Sequence, residues 1–234
     1  MFHKDKVKPI ILSLGGSLIV PNGGIDINFL KKFNAFIRRQ VKKGRRFFIV
    51  VGGGATTRHY QAAGSEVVSH KLPNEDLDWL GIHATRLNAH LIRTILRDIA
   101  YHRVLKHLEI IFKVDRPVAV AAGWKPGWST DYCAVMLCQD YNLSTVINLT
   151  NIEKIYTADP KKDPKARPID KISYANYLKI VGTKWTPGLN TPFDPIAAKL
   201  AQKLNLTIKI LKGHNFSNLE KAIKNKPFTG TIIH

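Results

Sequence analysis

The sequence of 234 residues is poor in acidic side chains and contains no long hydrophobic segment. It has 17 Asp and Glu residues against 36 Lys and Arg residues, which gives a formal net charge of +19. No apolar run approaches the roughly 20 residues that a transmembrane helix requires. The apolar segment near the N-terminus is short and is followed directly by glycines, which does not fit a secretory signal. We therefore expect a cytoplasmic protein that has no membrane partner.

Cysteine is also scarce, since Cys133 and Cys138 are the only two. On a helix, residues five positions apart lie about 140° apart around the axis, at about 100° per residue. This spacing fits neither a CxxC redox pair nor a zinc site, so both side chains are interpreted as buried free thiols. The nine histidines are interpreted as structural or surface residues, and we predict no metal-binding side chains.

The excess of positive charge favours polyanionic ligands such as nucleotides. The basic residues are spread along the chain in short pairs, for example Lys31-Lys32 and Arg45-Arg46. The sequence has neither a long basic tail nor the aromatic-interleaved pattern of an RNA-binding domain. A solvated basic surface is the simpler explanation, and nucleic acid is not expected to be a partner.

Strand and helix patterns alternate from end to end of the chain. Continuous apolar runs predict buried strands at residues 9–14, 47–51, 117–122, 145–149, 208–211 and 231–233. Between them, helical patterns cover residues 27–43 after the N-cap Asp26, then 55–63, 76–99, 174–180, 195–204 and 219–223, and another helix carries the cysteines behind a cap at Ser129, Thr130 or Asp131. On the long helix, one apolar stripe consists of Leu80, Ala84, Leu87, Leu91 and Ile95. These patterns predict one α/β domain over residues 1–234, with helices on both faces of a mostly parallel central sheet.

Glycine clusters follow two of the predicted strands, at residues 15–16 and 52–54, and a third glycine-containing loop covers residues 123–128. Ligands of such sheets bind beyond the carboxyl ends of the strands. Glycine lets the backbone approach a phosphate closely, and the following helix N-terminus offers free N–H groups. A single cluster would indicate only a tight turn, but the repetition favours anion binding. The P-loop and Rossmann signatures are absent, which disfavours both of those classes.

Several motifs, in order over nearly the whole chain, resemble those of the UMP kinases of the amino-acid-kinase fold, a three-layer αβα sandwich. The short N-terminus is similar to that of the archaeal-type branch. The segments that carry the resemblance are GGSL at 15–18, VVGGG at 50–54 with Arg58, DWLGI at 78–82, TRLNA at 85–89, PGWSTD at 126–131, NLTN at 148–151, YTADPKKDP at 156–164 and FDPIAA at 193–198.

The resemblance implies a role for each matching position. It implies an N-terminal acceptor-binding lobe at about 1–140, a C-terminal ATP-binding lobe at about 141–234, Mg²⁺ bound with the ATP, and a homohexamer. It assigns ATP binding to Gly16, Ser17, Gly54, Arg58, Thr150, Tyr156 and Asp159. It assigns UMP binding to Gly53, Asp78, Gly123, Trp124, Lys125, Pro126, Gly127, Trp128, Ser129 and Thr130. Arg58 and Asp131 are the implied catalytic residues.

The chemistry of the residues agrees with such a transfer. The second pKa of a monophosphate is about 6, so its oxygen is already an anion at neutral pH and needs no general base. Phosphoryl transfer then requires mainly positioning and positive charge. Simpler interpretations stay open: Asp131 as a helix cap, Asp78 as a first-turn carboxylate, Arg58 as a surface cation, and the two Trp residues of the loop as interface residues.

Two departures from the family pattern affect function. Many amino-acid kinases have a lysine where this chain has Ser13, so the main catalytic cation is not identified, and Lys125 and Arg58 are the nearest candidates. Glu153-Lys154 also replaces the usual Asp-Gly before the Tyr156 motif. Two alternative functions are therefore kept: a kinase of the same fold acting on another small phosphorylated acceptor, and a non-catalytic ATP-binding storage or regulatory protein.

Overall fold

The computed structural model describes residues 7–160, 162–184 and 191–234. Lys161 of the YTADPKKDP motif, the first six residues and residues 185–190 lie outside the described residues. The strands are β1 (Ile10–Leu14), β2 (Phe47–Val51), β3 (Ala100–Leu105), β4 (Val118–Ala121), β5 (Thr145–Thr150), β6 (Ile155–Tyr156), β7 (Pro168–Ile169), β8 (Lys171–Ile172), β9 (Thr207–Lys212) and β10 (Thr231–Ile233). The helices are α1 (Gly16–Ile19), α2 (Ile27–Lys42), α3 (Gly54–Val67), α4 (Asn74–Ile95), α5 (Thr130–Asp140), α6 (Tyr174–Val181), α7 (Pro195–Lys203) and α8 (Phe216–Ile223).

Eight strands form one sheet in the order β3-β4-β2-β1-β5-β9-β10-β8. Neighbouring strands of this sheet pair in parallel except for β10, which runs antiparallel to β9. The short strands β6 and β7 form a separate antiparallel pair. The mostly parallel α/β sheet predicted from the sequence is therefore confirmed.

Successive residues of the central strands enter two different hydrophobic cores, one on each face of the sheet. Along β2, Phe48 and Val50 pack against the face covered by α5, α6 and α7. Phe47, Ile49 and Val51 pack against the opposite face with α2, α4 and α8. Because strand side chains alternate between faces, a strand buried on both sides is apolar throughout, as FFIVV is. The result is the expected three-layer sandwich.

The structure contains the side-chain caps and the free thiols that the sequence predicts. Asp26 caps α2 by accepting a hydrogen bond from the N–H of Phe29 at 2.8 Å. Of the three candidate caps of α5, Ser129 is the one that caps the helix, since its Oγ accepts from the N–H of Tyr132 at 3.1 Å. Cys133 and Cys138 are buried free thiols, as predicted.

The long helix α4 differs from its prediction in its bounds and in one residue of its apolar stripe. It spans Asn74–Ile95 rather than residues 76–99. Leu87, placed on the apolar stripe, is 64% exposed, whereas the buried side chains include Asp78, Thr85 and Asn88. The predicted stripe is therefore wrong at Leu87, whereas Ala84 is buried and Leu91 and Ile95 pack against the core. The polar residues are buried because they face the loops of the site described below. The helix predicted at 55–63 extends over Gly54–Val67, and β3 was not predicted.

Within the described residues, no helix is long and apolar enough to cross a membrane.

Candidate active site

A cavity of about 550 Å³ opens at the carboxyl ends of β1, β2, β4 and β5. The strand order changes direction there, because β2 lies on one side of β1 and β5 lies on the other. Such a switch point leaves a crevice in which α/β proteins bind ligands. All three glycine-containing loops line this cavity, through Gly15, Gly16, Ser17, Gly52, Gly53, Gly54, Gly123, Trp128, Ser129 and Thr130.

The first two glycine loops contact each other so closely that side chains are excluded. A Cβ atom added to Gly16 would lie 2.1 Å from the backbone nitrogen of Gly54. A Cβ atom on Gly54 would lie 2.4 Å from the carbonyl oxygen of Gly16, and Gly54 also has a φ of +65°. Only glycine combines this backbone angle with such an approach. Two loops from neighbouring strands therefore form one continuous backbone surface.

Side chains of α4 hold the second and third loops in place. The Asn88 amide donates to the carbonyl oxygens of Gly52 and Gly53, both at 3.0 Å. The Thr85 hydroxyl accepts from the N–H of Gly123 at 2.9 Å. Because α4 carries all these contacts, it fixes the spacing between the two loops.

The same helix anchors the far part of the third loop. Arg86 donates to the carbonyl oxygens of Gly123 at 3.2 Å and Trp124 at 2.9 Å. Burial lowers the pKa of this guanidinium. Asp78 accepts from the N–H of Gly127 at 2.7 Å, and burial raises its carboxyl pKa while that bond opposes the rise. Asp78 lies beyond the first turn of α4, so its interpretation as a mere first-turn carboxylate is wrong.

Two carboxyl groups meet below the third loop. Asp131 accepts from the Ser13 hydroxyl at 2.9 Å and from the N–H of Asp194 at 3.1 Å. Ser129 donates from its hydroxyl to Asp194, whose other oxygen accepts from the N–H of Ile196 at 2.7 Å. Burial, together with the charge of Asp194, raises the pKa of Asp131 to about 7. Burial also raises the pKa of Asp194. Asp131 lines the cavity and does not cap α5, so its interpretation as a cap is wrong.

The two candidate cations occupy different positions. Among the described residues that line the cavity, Arg58 is the only Lys or Arg. Its guanidinium donates to the side chain of Asn22, which also lines the cavity, at 3.0 Å. Lys125 lies outside the lining, with its ammonium 4.3 Å from the ring centroid of Trp124 and 4.1 Å from that of Trp128. The geometry therefore favours Arg58 over Lys125 as the cation that faces a ligand.

Of the remaining predicted site residues, one lines the cavity and five do not. Thr150, at the end of β5, lines the cavity. Tyr156 belongs to β6 and Asp159 to the following turn, where its carbonyl accepts from the N–H groups of Lys162 and Asp163. Neither side chain is part of the lining, and the same holds for Trp124, Pro126 and Gly127. Within the described chain, Lys154 forms an ion pair with Asp170 next to the β6–β7 pair.

Sequence reasoning gave no role to several residues that line the cavity. They are Ser13, Asn22, Thr57, Gln61, Gly81, Ile82, Thr85, Asn148, Asn151, Thr191 and Pro192. Asn148 could have been identified from the sequence, because a polar residue is unusual inside an apolar strand whose carboxyl end faces a ligand site. The contact between Thr191 and the cavity had no such signal, since it depends on how a distant segment folds back.

Among the described residues, glycine backbone, one arginine and the carboxyl groups of Asp78 and Asp131 thus line a cavity at the switch point of a parallel sheet. Backbone N–H groups and arginine recognise phosphate oxygens, so these features define the class of α/β proteins that bind phosphorylated ligands.

Comparisons with known proteins specify this class further. Residues 8–212 match the amino acid kinase family. A uridylate kinase of Methanospirillum hungatei is 34% identical over 227 residues, covering 96% of this chain and 94% of the relative. A uridylate kinase of Methanocorpusculum labreanum is 33% identical with the same coverage of 96% and 94%. The crystal structure of uridylate kinase from Archaeoglobus fulgidus has 30% sequence identity and a TM-score of 0.79, covering 97% of this chain and 100% of that one.

The chain therefore belongs to the amino acid kinase family, and within that family to the uridylate kinases. The resemblance noted in the sequence, including its archaeal branch, is confirmed.

Proposed function

We propose that this protein transfers the γ-phosphoryl group of ATP to UMP and so produces UDP and ADP. The observation that carries the proposal is that the three glycine-containing loops open on one cavity in a chain that matches uridylate kinases over nearly its whole length. A cavity of about 550 Å³ lies within the range usual for small-molecule sites.

In the proposed reaction a phosphate oxygen of UMP attacks the γ-phosphorus of ATP. The new P–O bond forms on UMP, the bond to the β-phosphate oxygen breaks, and ADP leaves with that electron pair. Because the attacking oxygen is already ionised, no side chain has to remove a proton. Arg58 and the N–H groups of the glycine loops would stabilise the negative charge on the equatorial oxygens.

The residues present fit a divalent metal that arrives with ATP. Mg²⁺ is typically held by one or two carboxylates together with substrate phosphates and water. Asp131 offers such a carboxylate on the cavity wall. The described residues contain no group of three His, Cys, Asp or Glu side chains that could hold an ion by themselves. When bound, Mg²⁺ would neutralise phosphate charge, and Asp131 would hold it on the protein side.

The assignment of binding regions follows the two halves of the sheet. We propose an acceptor lobe at about residues 1–140 and an ATP lobe at about residues 141–234, with the boundary between β1 and β5. Gly53, Asp78 and the loop at 123–130 would bind UMP. Gly16, Ser17, Gly54, Thr150, Tyr156 and Asp159 would bind ATP, the last two by approaching a ligand that extends beyond the cavity. We also propose that the protein acts in the cytoplasm.

A coupled assay of ADP formation with UMP, CMP, AMP and GMP tests the proposal. UMP should give the highest kcat/KM, and Mg²⁺ removal by EDTA should abolish turnover. Failure of every nucleoside monophosphate to react would contradict the assignment and would favour the non-catalytic alternative.

Ribose recognition can be tested separately at Asp78. One of its oxygens accepts from the N–H of Gly127, and the other is proposed to accept from a ribose hydroxyl. In Asp78→Asn the amide oxygen can retain the Gly127 bond, while the second acceptor is replaced by a donor. We expect the KM for UMP to rise about tenfold, the usual cost of one good hydrogen bond. An unchanged KM would favour a different phosphorylated acceptor.

A further inference from the structure

The second glycine loop has the backbone shape of an anion-binding nest. Gly53 has φ −83° and ψ −28°, in the right-handed helical region, and Gly54 has φ +65°, in the left-handed region. Successive residues with these two conformations turn their N–H groups towards one concave side. In the hydrogen-bond network of the described residues, neither of these two N–H groups has an acceptor.

The residues of this described loop do not by themselves fix the backbone conformation of Gly53 and Gly54. Glycine adopts positive and negative φ about equally well, so rotation of a Gly-Gly peptide costs little. A rotated peptide would turn a carbonyl oxygen towards the cavity and would repel phosphate. A loop that has to present N–H groups therefore needs a contact from outside it.

Asn88 supplies that contact from α4. Its amide nitrogen lies 3.0 Å from both carbonyl oxygens, those of Gly52 and Gly53. The side chain is only 3% exposed. In a trans peptide the C=O and the N–H point in opposite directions. Fixing the two carbonyls towards α4 therefore directs the N–H groups of Gly53 and Gly54 away from it.

We propose that Asn88 is a positioning residue for the reaction, which orients the N–H groups of Gly53 and Gly54 towards phosphate oxygens of the bound nucleotides. The proposal deepens the proposed function, on which the identity of the nucleotides rests. Asn88 itself does not touch the ligand, and its effect is transmitted entirely through the two glycine carbonyls.

Asn88→Asp provides an isosteric test, because it removes the amide donor and keeps the side-chain volume. Asn218→Asp is the matched control. Asn218 is 5% exposed, lies on α8, and donates its amide to the carbonyl of Thr229 at 2.7 Å. It is therefore a buried helical asparagine that holds a loop, and it is not part of the cavity lining.

Calorimetric titration with ATP alone and with UMP alone gives a readout that does not depend on turnover. We expect Asn88→Asp to weaken binding of at least one nucleotide by tenfold or more and to lower kcat for UMP by a similar factor. Asn218→Asp should lower the melting temperature comparably but keep both affinities within twofold. If the two variants lose only thermal stability, Asn88 is structural and the inference is overturned.

Asn88→Ala serves where the aspartate variant does not fold, as judged by far-UV circular dichroism. It removes the donor without adding charge, and the same tenfold criterion applies. If the wild-type protein binds ATP but phosphorylates no monophosphate, the proposed function fails, while the comparison of ATP affinities still decides the role of Asn88.

Discussion

Ser13 changes the electrostatics of the transfer site, because a neutral hydroxyl stands where many related kinases have a lysine. The Asp131 carboxyl accepts from Ser13 instead of pairing with a cation. Positive charge would therefore come from Arg58, which is the only Lys or Arg among the described residues of the cavity lining, and from the proposed Mg²⁺. Lys125 lies over two indole rings, an arrangement that stabilises a cation by about 0.5–2 kcal/mol.

The positions of Arg58 and Lys125 predict that neutralising the first residue impairs catalysis strongly, while neutralising the second has little effect. Arg58→Gln should lower kcat/KM for UMP by about 10²-fold or more, since it removes charge-assisted bonds to phosphate. Lys125→Gln should keep kcat within about threefold, because its ammonium contacts aromatic rings rather than the cavity. Steady-state kinetics with both substrates varied would check this. A large loss of kcat in the Lys125 variant alone would reverse the assignment.

Asp131 should make the stability of the ligand-free protein depend on pH. Its folded-state pKa of about 7 exceeds the unfolded value of about 3.9, so the folded state binds more protons between these values. The free energy of unfolding therefore falls as pH rises through this window, and the penalty is complete above pH 7. A neutral asparagine side chain at this position would avoid the penalty, so Asp131→Asn should stabilise the protein at pH 8 by about 1–2 kcal/mol.

Urea unfolding in EDTA at pH 5 and pH 8 measures this difference. We expect the gain in the variant to shrink at pH 5, where the wild-type carboxyl is protonated. An equal gain at both pH values would mean that packing, not ionisation, is responsible. Turnover should be lost in the same variant, because a carboxylate that can meet Mg²⁺ is removed.

At the scale of single residues, the sequence indicated some residues of the candidate site and not others. Glycines after apolar strands predicted the loops at 15–17 and 52–54, because backbone approach to phosphate requires that residue type. Asn88 could not be identified as a positioning residue, because a polar residue on a helix usually faces solvent. Its burial depends on α4 lying beneath two loops from β2 and β4, which only the tertiary structure shows.

Among the elements, the strands buried on both faces were predicted best. FFIVV in β2 was placed without error, since a continuous apolar run bounded by glycine fits little else. In contrast, β3 contains exposed His102 and Arg103, because it lies at the edge of the sheet, and its pattern was not recognised as a strand. On α4 the predicted stripe was right at Ala84, Leu91 and Ile95 and wrong at Leu87, because polar contacts to the loops also determine which face of the helix is buried.

One buried hydroxyl on β10 makes hydrogen bonds to both strands of the β6–β7 pair. Thr231 is fully buried, accepts from the N–H of Ile155 at 2.9 Å and donates to the carbonyl of Ile169 at 2.5 Å. Thr231→Val keeps the shape but leaves both backbone groups unpaired, which should cost about 2 kcal/mol of the free energy of unfolding. Because Tyr156 of β6 is proposed to bind ATP, the KM for ATP should also rise.

Urea unfolding and initial rates at varied ATP would test this expectation. Thr207→Val, at the start of β9, is a suitable control because Thr207 is only half-buried. If both variants lose the same small amount of stability and keep the same KM for ATP, the hydroxyl of Thr231 does not position β6.

On the scale of the whole molecule, a second stripe on α4, formed by Trp79, His83 and Leu87, is exposed and is not covered by any other part of the described chain. Trp79 and Leu87 are 38% and 64% exposed, and His83 lies between them with its ring 6.2 Å from that of Trp79. Residues at this spacing share one face of a helix. Exposed apolar stripes of this kind commonly mark protein contacts, as expected if the chain forms the homohexamer that the resemblance implies.

Charge placed in this stripe should separate the subunits. We expect Leu87→Glu to reduce the mass measured by light scattering to that of a smaller assembly or of the 26.3 kDa chain. Ile180→Glu, at a residue 39% exposed on α6, should leave the mass unchanged. A wild-type protein that is already monomeric would refute the proposed assembly.

The position of β10 also constrains the order of events during synthesis. Strand β8 joins the central sheet only through β10, which comes about sixty residues later in the chain. The strands β1 to β4 form one side of the sheet and can pair while translation continues. Strand β8 can therefore join the sheet only once β10 has been synthesised. Strands β1 to β4 can pair earlier, and the far edge of the sheet, at β8, is completed last.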